Sequence, residues 1–140
     1  MALGISYEEM LRTVGGVLDE THCDRAALEI TRQAIVVQTM GRAERQELPE
    51  IEQQSHERAQ RRGRGTEPSV AAALARFEWV LRVVGTELDR EGHPRYSLTV
   101  DREHVTVEAA EGSRRVFDRD ALAELVRQAI QRRRPAPPGG

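Results

Sequence analysis

The side chains with the most chemical potential in this chain fall in pairs 70 residues apart. Asp19 matches Asp89, and Cys23, flanked by His22 and Asp24, matches His93. Two carboxylates held across a cleft are the raw material of general acid–base catalysis. A thiolate, imidazole and carboxylate together form a zinc-type ligand set. The spacing of Cys23, His22, Asp24 and His93 fits no metal signature, and His56 and His104 have no evident companions, so exposed loops account for all of them without chemistry. Asp19 and Asp89 are expected to cap helices or to pair with Arg25 and Arg95, which are matched in turn. The sequence therefore implies no catalytic residue, no metal and no cofactor, and the chain is expected not to be an enzyme.

Its 21 cationic side chains are all arginine, with no lysine present. Lysine is the Schiff-base nucleophile of pyridoxal enzymes and the phosphate-binding residue of the P-loop, so both mechanisms are excluded. A formal charge of −2 gives no global bias toward nucleic acid. Local clusters exist: Arg58, Arg61, Arg62 and Arg64 in the first half, and Arg132, Arg133 and Arg134 in the second. Each phosphate neutralised by such a cluster adds binding free energy through counterion release, so nucleic acid is the alternative partner.

These residues must be positioned by something, and the chain nearly repeats itself. Laying residues 7–40 on 77–110 without a gap gives eleven identities, including Glu8/Glu78, Arg12/Arg82, Gly15/Gly85, Asp19/Asp89, Leu28/Leu98 and Arg32/Arg102. Chance would give roughly three for so biased a composition. The expected fold is α+β, an internal duplication of a helix, an antiparallel β-hairpin or three-stranded meander, and a helix, packed about a pseudo-two-fold axis. The units are 1–62 and 70–134, with a Gly/Arg linker at 63–69 and a disordered tail at 135–140. A unit of 60 to 70 residues buries little surface alone, so the two are expected to pack on each other or on a second chain.

Tyr7, Leu11, Val14 and Leu18 follow the spacing of a core-facing helical stripe, repeated by Phe77, Leu81, Val84 and Leu88. Ser6 and Ser69 are the expected caps, the second opening one helix from Val70 to Glu91 that Gly92 ends. Gly15 and Gly85 sit mid-helix, where glycine costs about 1 kcal/mol relative to alanine, which points to a close backbone approach. Alternation then takes over: Ala26, Leu28, Ile30, Ile35 and Val37 form one hairpin, and Tyr96, Leu98, Val100, Val105 and Val107 the other. Their turns, 31–34 and 101–104, lack glycine and so suit a type I turn or a four-residue loop. A third strand, Arg114 to Phe117, precedes a helix capped by Asp118 with Leu122, Leu125, Val126, Ala129 and Ile130 inward. In the first half the matching strand is expected at Arg45 to Leu48, and residues 50–62 offer only Ile51 and Ala59 as anchors.

The helix–three strands–helix order resembles that of double-stranded RNA-binding modules, a resemblance that would imply contact with RNA phosphates. Asp118, Arg119 and Asp120 open the second helix here, and carboxylates at that terminus disfavour phosphate. The aromatic residues Tyr7, Phe77, Trp79, Tyr96 and Phe117 lie mostly on apolar faces, leaving no stacking platform for bases.

The expected role is a non-enzymatic, protein-binding module whose partner is another protein or, as a dimer, a second copy of itself. Trp79, Val80 and Val83 lie off the main stripe of their helix, where the first half has Glu9, Met10 and Thr13, and form apolar surface that needs covering by the other repeat, by the helix from Asp120 to Gln131, or by a second copy across a dyad. There is no 18-residue apolar run and no signal-like leader, so no membrane is expected and a cytoplasmic location is. Cys23, the lone cysteine, suits a reducing compartment.

Overall fold

The computed structural model describes residues 6–39, 41–62 and 68–133, which form an α+β fold of five helices and a six-stranded antiparallel sheet. Helix α1 (Tyr7–Glu20) leads into β1 (Ala26–Thr31), β2 (Ala34–Thr39) and β3 (Arg42–Glu47), and α2 (Leu48–Arg62) follows. Helices α3 (Val70–Leu74) and α4 (Phe77–Glu91) lead into β4 (Arg95–Val100), β5 (Val105–Ala109), β6 (Arg114–Phe117) and α5 (Arg119–Arg133). Most of the 63–69 linker and all of the 135–140 tail lie outside the described residues.

The strand order is β3-β2-β1-β4-β5-β6, so the two meanders join through β1 and β4. Leu28 faces Leu98 across that central pair, Ala26 faces Val100, and Ile30 faces Tyr96. Alternation assigns the faces, as period-two sequences require. Leu28, Ile30, Ile35, Leu98, Val100, Val105 and Val107 are buried toward the helices, whereas Glu29, Gln38, Thr99 and Glu108 are exposed on the other side.

Local signals set most boundaries. The hydroxyl of Ser6 accepts from the Glu9 N–H at 3.2 Å, that of Ser69 from Ala72 at 3.1 Å, and the Asp118 carboxylate from Ala121 at 2.8 Å. Gly92 ends α4 in the left-handed region, φ 74°, the conformation glycine adopts without penalty. The hairpin turns are closed by side chains instead of glycine. Thr31 Oγ1 accepts from the N–H of Gln33 and Ala34, and Asp101 Oδ1 from those of Glu103 and His104.

Three features depart from expectation. The helix from Val70 to Glu91 is broken, because Arg76 is extended (φ −122°, ψ 127°) and a fresh helix starts at Phe77. The cause is distant in sequence: Asp19 accepts from the N–H of Phe77 at 2.8 Å and of Glu78 at 3.0 Å. It thereby satisfies first-turn donors that an unbroken helix would have given to its own carbonyls. The third strand of the first half runs from Arg42 to Glu47 and pairs along all of β2, while Leu48 belongs to α2. Pro49 suits that helical first turn because its missing N–H would have had no partner there. Finally, Ile51 anchors α2 at 0% exposure but Ala59 is exposed. Arg58 takes that role: its side chain lies against Gly16 and pairs with Glu20 at 3.0 Å.

Burial has a consequence for alkaline stability. Tyr7 packs edge-on against Tyr96, and its hydroxyl donates to the carbonyl of His93 at 2.7 Å. Burial pushes the Tyr7 phenol above its ordinary value, with Asp89 adding and Arg32 opposing. Burial also raises Tyr96, against the His93 N–H that its oxygen accepts. A phenol held neutral in the fold stabilises fully below its unfolded value near pH 10 and loses that contribution as pH rises beyond it. Chemical denaturation is therefore expected to show stability falling above about pH 10. Tyr7→Phe should flatten that fall while costing about 1 kcal/mol at neutral pH for the lost hydrogen bond.

Candidate interaction surface

The paired carboxylates are structural. Asp19 caps α4, and Asp89 reciprocates by accepting from the N–H of Tyr7 at 2.9 Å and of Glu8 at 3.1 Å, so each antiparallel helix supplies the cap of the other. A carboxylate at a helix N-terminus combines hydrogen bonding with favourable charge against the macrodipole. Arg25 and Arg95 are not its partners; Asp89 lies 3.7 Å from Arg32. The helix contact is reinforced by Arg12 on Glu78 at 3.4 Å and Arg82 on Glu8 at 3.8 Å. Arg32 stacks over Tyr7 at 4.2 Å and Arg102 over Phe77 at 4.4 Å. Asp19→Ala and Asp89→Ala are each expected to cost about 0.5–2 kcal/mol in urea unfolding, the range for a lost helix cap.

The topology separates Cys23 from His93. Since β1 and β4 are antiparallel, the loops before them lie at opposite ends of a six-residue pair, about 20 Å apart at 3.3 Å per residue. Cys23 Sγ contacts Thr21 Oγ1 at 3.3 Å, and His93 contacts Glu111 at 3.3 Å. Among the described residues no three ligand-type side chains cluster as a metal site would require.

Of the arginine clusters, Arg58 is committed inside the chain and Arg132 is exposed near the end of α5. Arg64 and Arg134, and the side chains of Arg61, Arg62 and Arg133, lie outside the described residues.

Of the coverings open to Trp79, Val80 and Val83, helices of the same chain supply the one observed, so these residues are core and not an exposed interaction patch. They are 5%, 5% and 2% exposed, because α4 packs against α1, α3 and α5 within the same chain. Leu122, Val126 and Ile130 of α5 and Ala73 of α3 join them in one continuous core. The second half thus covers its own extra apolar surface, and Val116 on β6 is the large apolar side chain left exposed among the described residues.

What the described residues leave uncovered is the other face of the sheet. Helices α2 and α5 both lie on the side of α1 and α4, since α2 packs on α1, β2 and β3, and α5 packs on α3, α4 and β6. The bare face presents Glu29, Ser97, Thr99, Thr106, Glu108 and Val116, with Arg45 and Glu47 on one edge strand and Arg114 on the other. Charged edges discourage strand-to-strand aggregation. The sequence contained this face as the polar half of its alternation. It gave no sign that every helix would choose the same side.

Two grooves cross this face. One, about 460 Å3, is lined in part by Arg25, Ala27, Gln38, Ala43 and Thr99. The other, about 440 Å3, is lined in part by Glu29, Arg95, Ser97, Glu108 and Gly112. No described helix is long and apolar enough to cross a membrane. No protein-family model, no curated protein and no solved structure matches this chain.

Proposed function

We propose that this chain is a non-enzymatic protein-binding module of the cytoplasm that engages another protein through the bare face of its sheet. The observation that carries this is the one-sided placement of the helices, which leaves a six-stranded sheet open across its width. An antiparallel sheet tolerates water on one face, yet its small and mixed-charge side chains also offer a level platform where backbone and side chains of a partner can approach closely. Trp79, Val80 and Val83 serve the core in this proposal and are not contact residues.

The module is further proposed to be a duplicated helix–three strands–helix unit, 1–62 and 70–134, packed about a pseudo-two-fold axis. Support comes from position pairs 70 apart that play matching parts: Leu28 opposite Leu98, Asp19 and Asp89 as exchanged caps, and Arg32 and Arg102 as ring stacks on Tyr7 and Phe77, each within its own half. Such a unit would bury its helix crossing only when both copies are present.

The test is affinity purification from the cells that make the protein, with retained proteins identified by mass spectrometry. Glu108→Arg/Val116→Arg alters the bare face without touching the core. A partner enriched by the native chain and lost with the variant, at unchanged melting temperature, is the expected result. Identical retention by the two chains, or retention of nothing, rejects the bare face as the binding surface.

A further inference from the structure

The contacts that join the two halves are reciprocal. Asp19 accepts from the N–H groups of Phe77 and Glu78, and Asp89 from those of Tyr7 and Glu8. Arg12 pairs with Glu78 at 3.4 Å, and Arg82 with Glu8 at 3.8 Å. A Cβ on Gly15 would strike the backbone of Phe77 and Glu78, and one on Gly85 would strike that of Tyr7 and Glu8. In the sheet, Leu28 lies opposite Leu98, with Ala26 facing Val100 and Ile30 facing Tyr96.

The same residue types therefore stand on both sides of the contact: Glu8 and Glu78, Arg12 and Arg82, Gly15 and Gly85, Asp19 and Asp89, Leu28 and Leu98. Such a surface complements itself. A copy of the first half, set where the second half lies, would offer its first-turn N–H groups at Tyr7 and Glu8 to Asp19 and its Glu8 to Arg12. Its central strand would place Leu28 on Leu28 and Ala26 on Ile30, with Ala27 beside Glu29, so no like charges meet. Two copies of the second half would match in the same way, with Arg82 on Glu78, Leu98 on Leu98, Tyr96 on Val100 and Ser97 on Thr99. Partners that must reject a copy of themselves carry a repulsive element for the purpose, such as charges of opposite sign on the two members. None of these contacts contains one.

The covalent link favours pairing within one chain, since a short tether supplies an effective concentration of roughly millimolar. Exchange of matched elements between two chains needs no new contact and is a low-cost route to a dimer. We infer that the face joining α1 and β1 to α4 and β4 is a self-recognition surface whose partner is a second copy of this chain, each half accepting the same half of the other chain. This rests on the duplicated unit proposed above and specifies what that unit binds.

Reversing the charges of one half is the test, because it penalises the mixed pairing and spares the like one. In Glu8→Arg/Arg12→Glu, position 12 would face Glu78 and position 8 would face Arg82, each with like charge, while two reversed first halves still match each other. Arg12, Glu78 and Arg82 are largely buried at the helix crossing, so salt screens such a clash poorly. It should outweigh the roughly tenfold advantage that a millimolar tether holds over chains at about 0.1 mM. Refolded from urea at that concentration, the variant is expected to sediment at twice the mass of the native chain, with its circular dichroism retained. Glu78→Arg/Arg82→Glu should do the same from the other half. Reversal of all four positions brings opposite charges together again within one chain and should restore the native mass. The inference is overturned if both double variants are monomeric or unfolded, or if reversal of all four leaves the mass doubled. Failure of the duplicated unit is read separately, as no loss of stability from Asp19→Ala or Asp89→Ala, and failure of the bare face in the Glu108→Arg/Val116→Arg chain.

Discussion

Trp79→Ala is expected to lower unfolding free energy by about 3–5 kcal/mol, the range for truncating a buried tryptophan, while leaving the size of the folded particle unchanged. Its indole is 5% exposed within a single chain, in a core shared with Val80, Val83, Ala73 and the inward residues of α5. The guanidinium of Arg82 lies over the ring at 4.9 Å, so truncation also removes the platform of a cation that pairs with Glu8. Had the ring been a dimer contact, truncation would change the sedimentation of the native state and barely affect the monomer. Guanidinium unfolding and sedimentation velocity on the same samples separate the two. Val116→Ser is the natural comparison, since Val116 is 57% exposed; its change should stay within about 0.5 kcal/mol, as for surface substitutions generally. Equal unfolding midpoints for the native and Trp79→Ala chains would contradict the core placement.

The misplacement of Trp79 shows where local reasoning reaches its limit. Periodicity marks which residues of a helix are apolar, and it assigned α1, α4, the four inner strands and α5 because each alternates at its own period. It does not say what covers the apolar side. Trp79, Val80 and Val83 are buried because α3, just upstream, folds against the same helix and α5 returns to it across the whole second meander. The break at Arg76 was hidden for the same reason: the cap that starts α4 comes from Asp19, 58 residues earlier. Signals contained within three or four residues, such as Ser6, Ser69, Gly92 and Asp118, stood out clearly.

Placement of the ligand-type residues turned on a single fact of topology. A matched pair such as Cys23 and His93 can be neighbours only if the strands that follow them run parallel or their loops share an edge. The antiparallel pairing of β1 with β4 sends the two loops to opposite ends of the sheet. The same pairing brings Leu28 to Leu98 and lets α1 and α4 exchange caps, so the arrangement that excludes a shared metal site is the one that builds the core. The acidic and neutral linings of the two grooves were likewise present in the sequence, as Glu29, Glu108, Gln38 and Thr99. They gained meaning only once β2, β1, β4 and β5 were known to lie side by side.

Glycine at two helical positions provides the second large effect, and its sign runs against helix propensity. Alanine in a helix interior is favoured over glycine by about 1 kcal/mol, so an isolated α1 or α4 would gain from either substitution. In the fold, a Cβ on Gly15 would sit 2.4 Å from the carbonyl oxygen of Phe77 and 2.8 Å from Cα of Glu78. A Cβ on Gly85 would sit 2.7 Å from Cα of Glu8 and 2.8 Å from the carbonyl oxygen of Tyr7. Every one of these neighbours is backbone, so no rotamer change relieves the overlap and the helices must separate. Separation stretches the hydrogen bonds from Phe77 and Glu78 to Asp19 and from Tyr7 and Glu8 to Asp89, which lie one turn away. Overpacking of a close contact costs about 1–3 kcal/mol and occasionally more, and here cap distortion adds to it. Each single substitution is therefore expected to destabilise by about 2–3 kcal/mol net of the propensity gain, with Gly15→Ala the worse. The double substitution should cost about 4–5 kcal/mol, a large part of the 5–15 kcal/mol that holds a typical domain. Gly16→Ala distinguishes contact from propensity, because its Cβ would meet only the end of the Arg58 side chain, at 2.5 Å, which can move aside. That variant should remain within about 1 kcal/mol of the native chain, the gain in helix propensity offsetting a shifted Arg58. Urea unfolding of the four variants beside the native chain settles the matter. Stabilisation by Gly15→Ala or Gly85→Ala would mean that the backbones of α1 and α4 do not approach as closely as the packing at Phe77 and Glu8 requires.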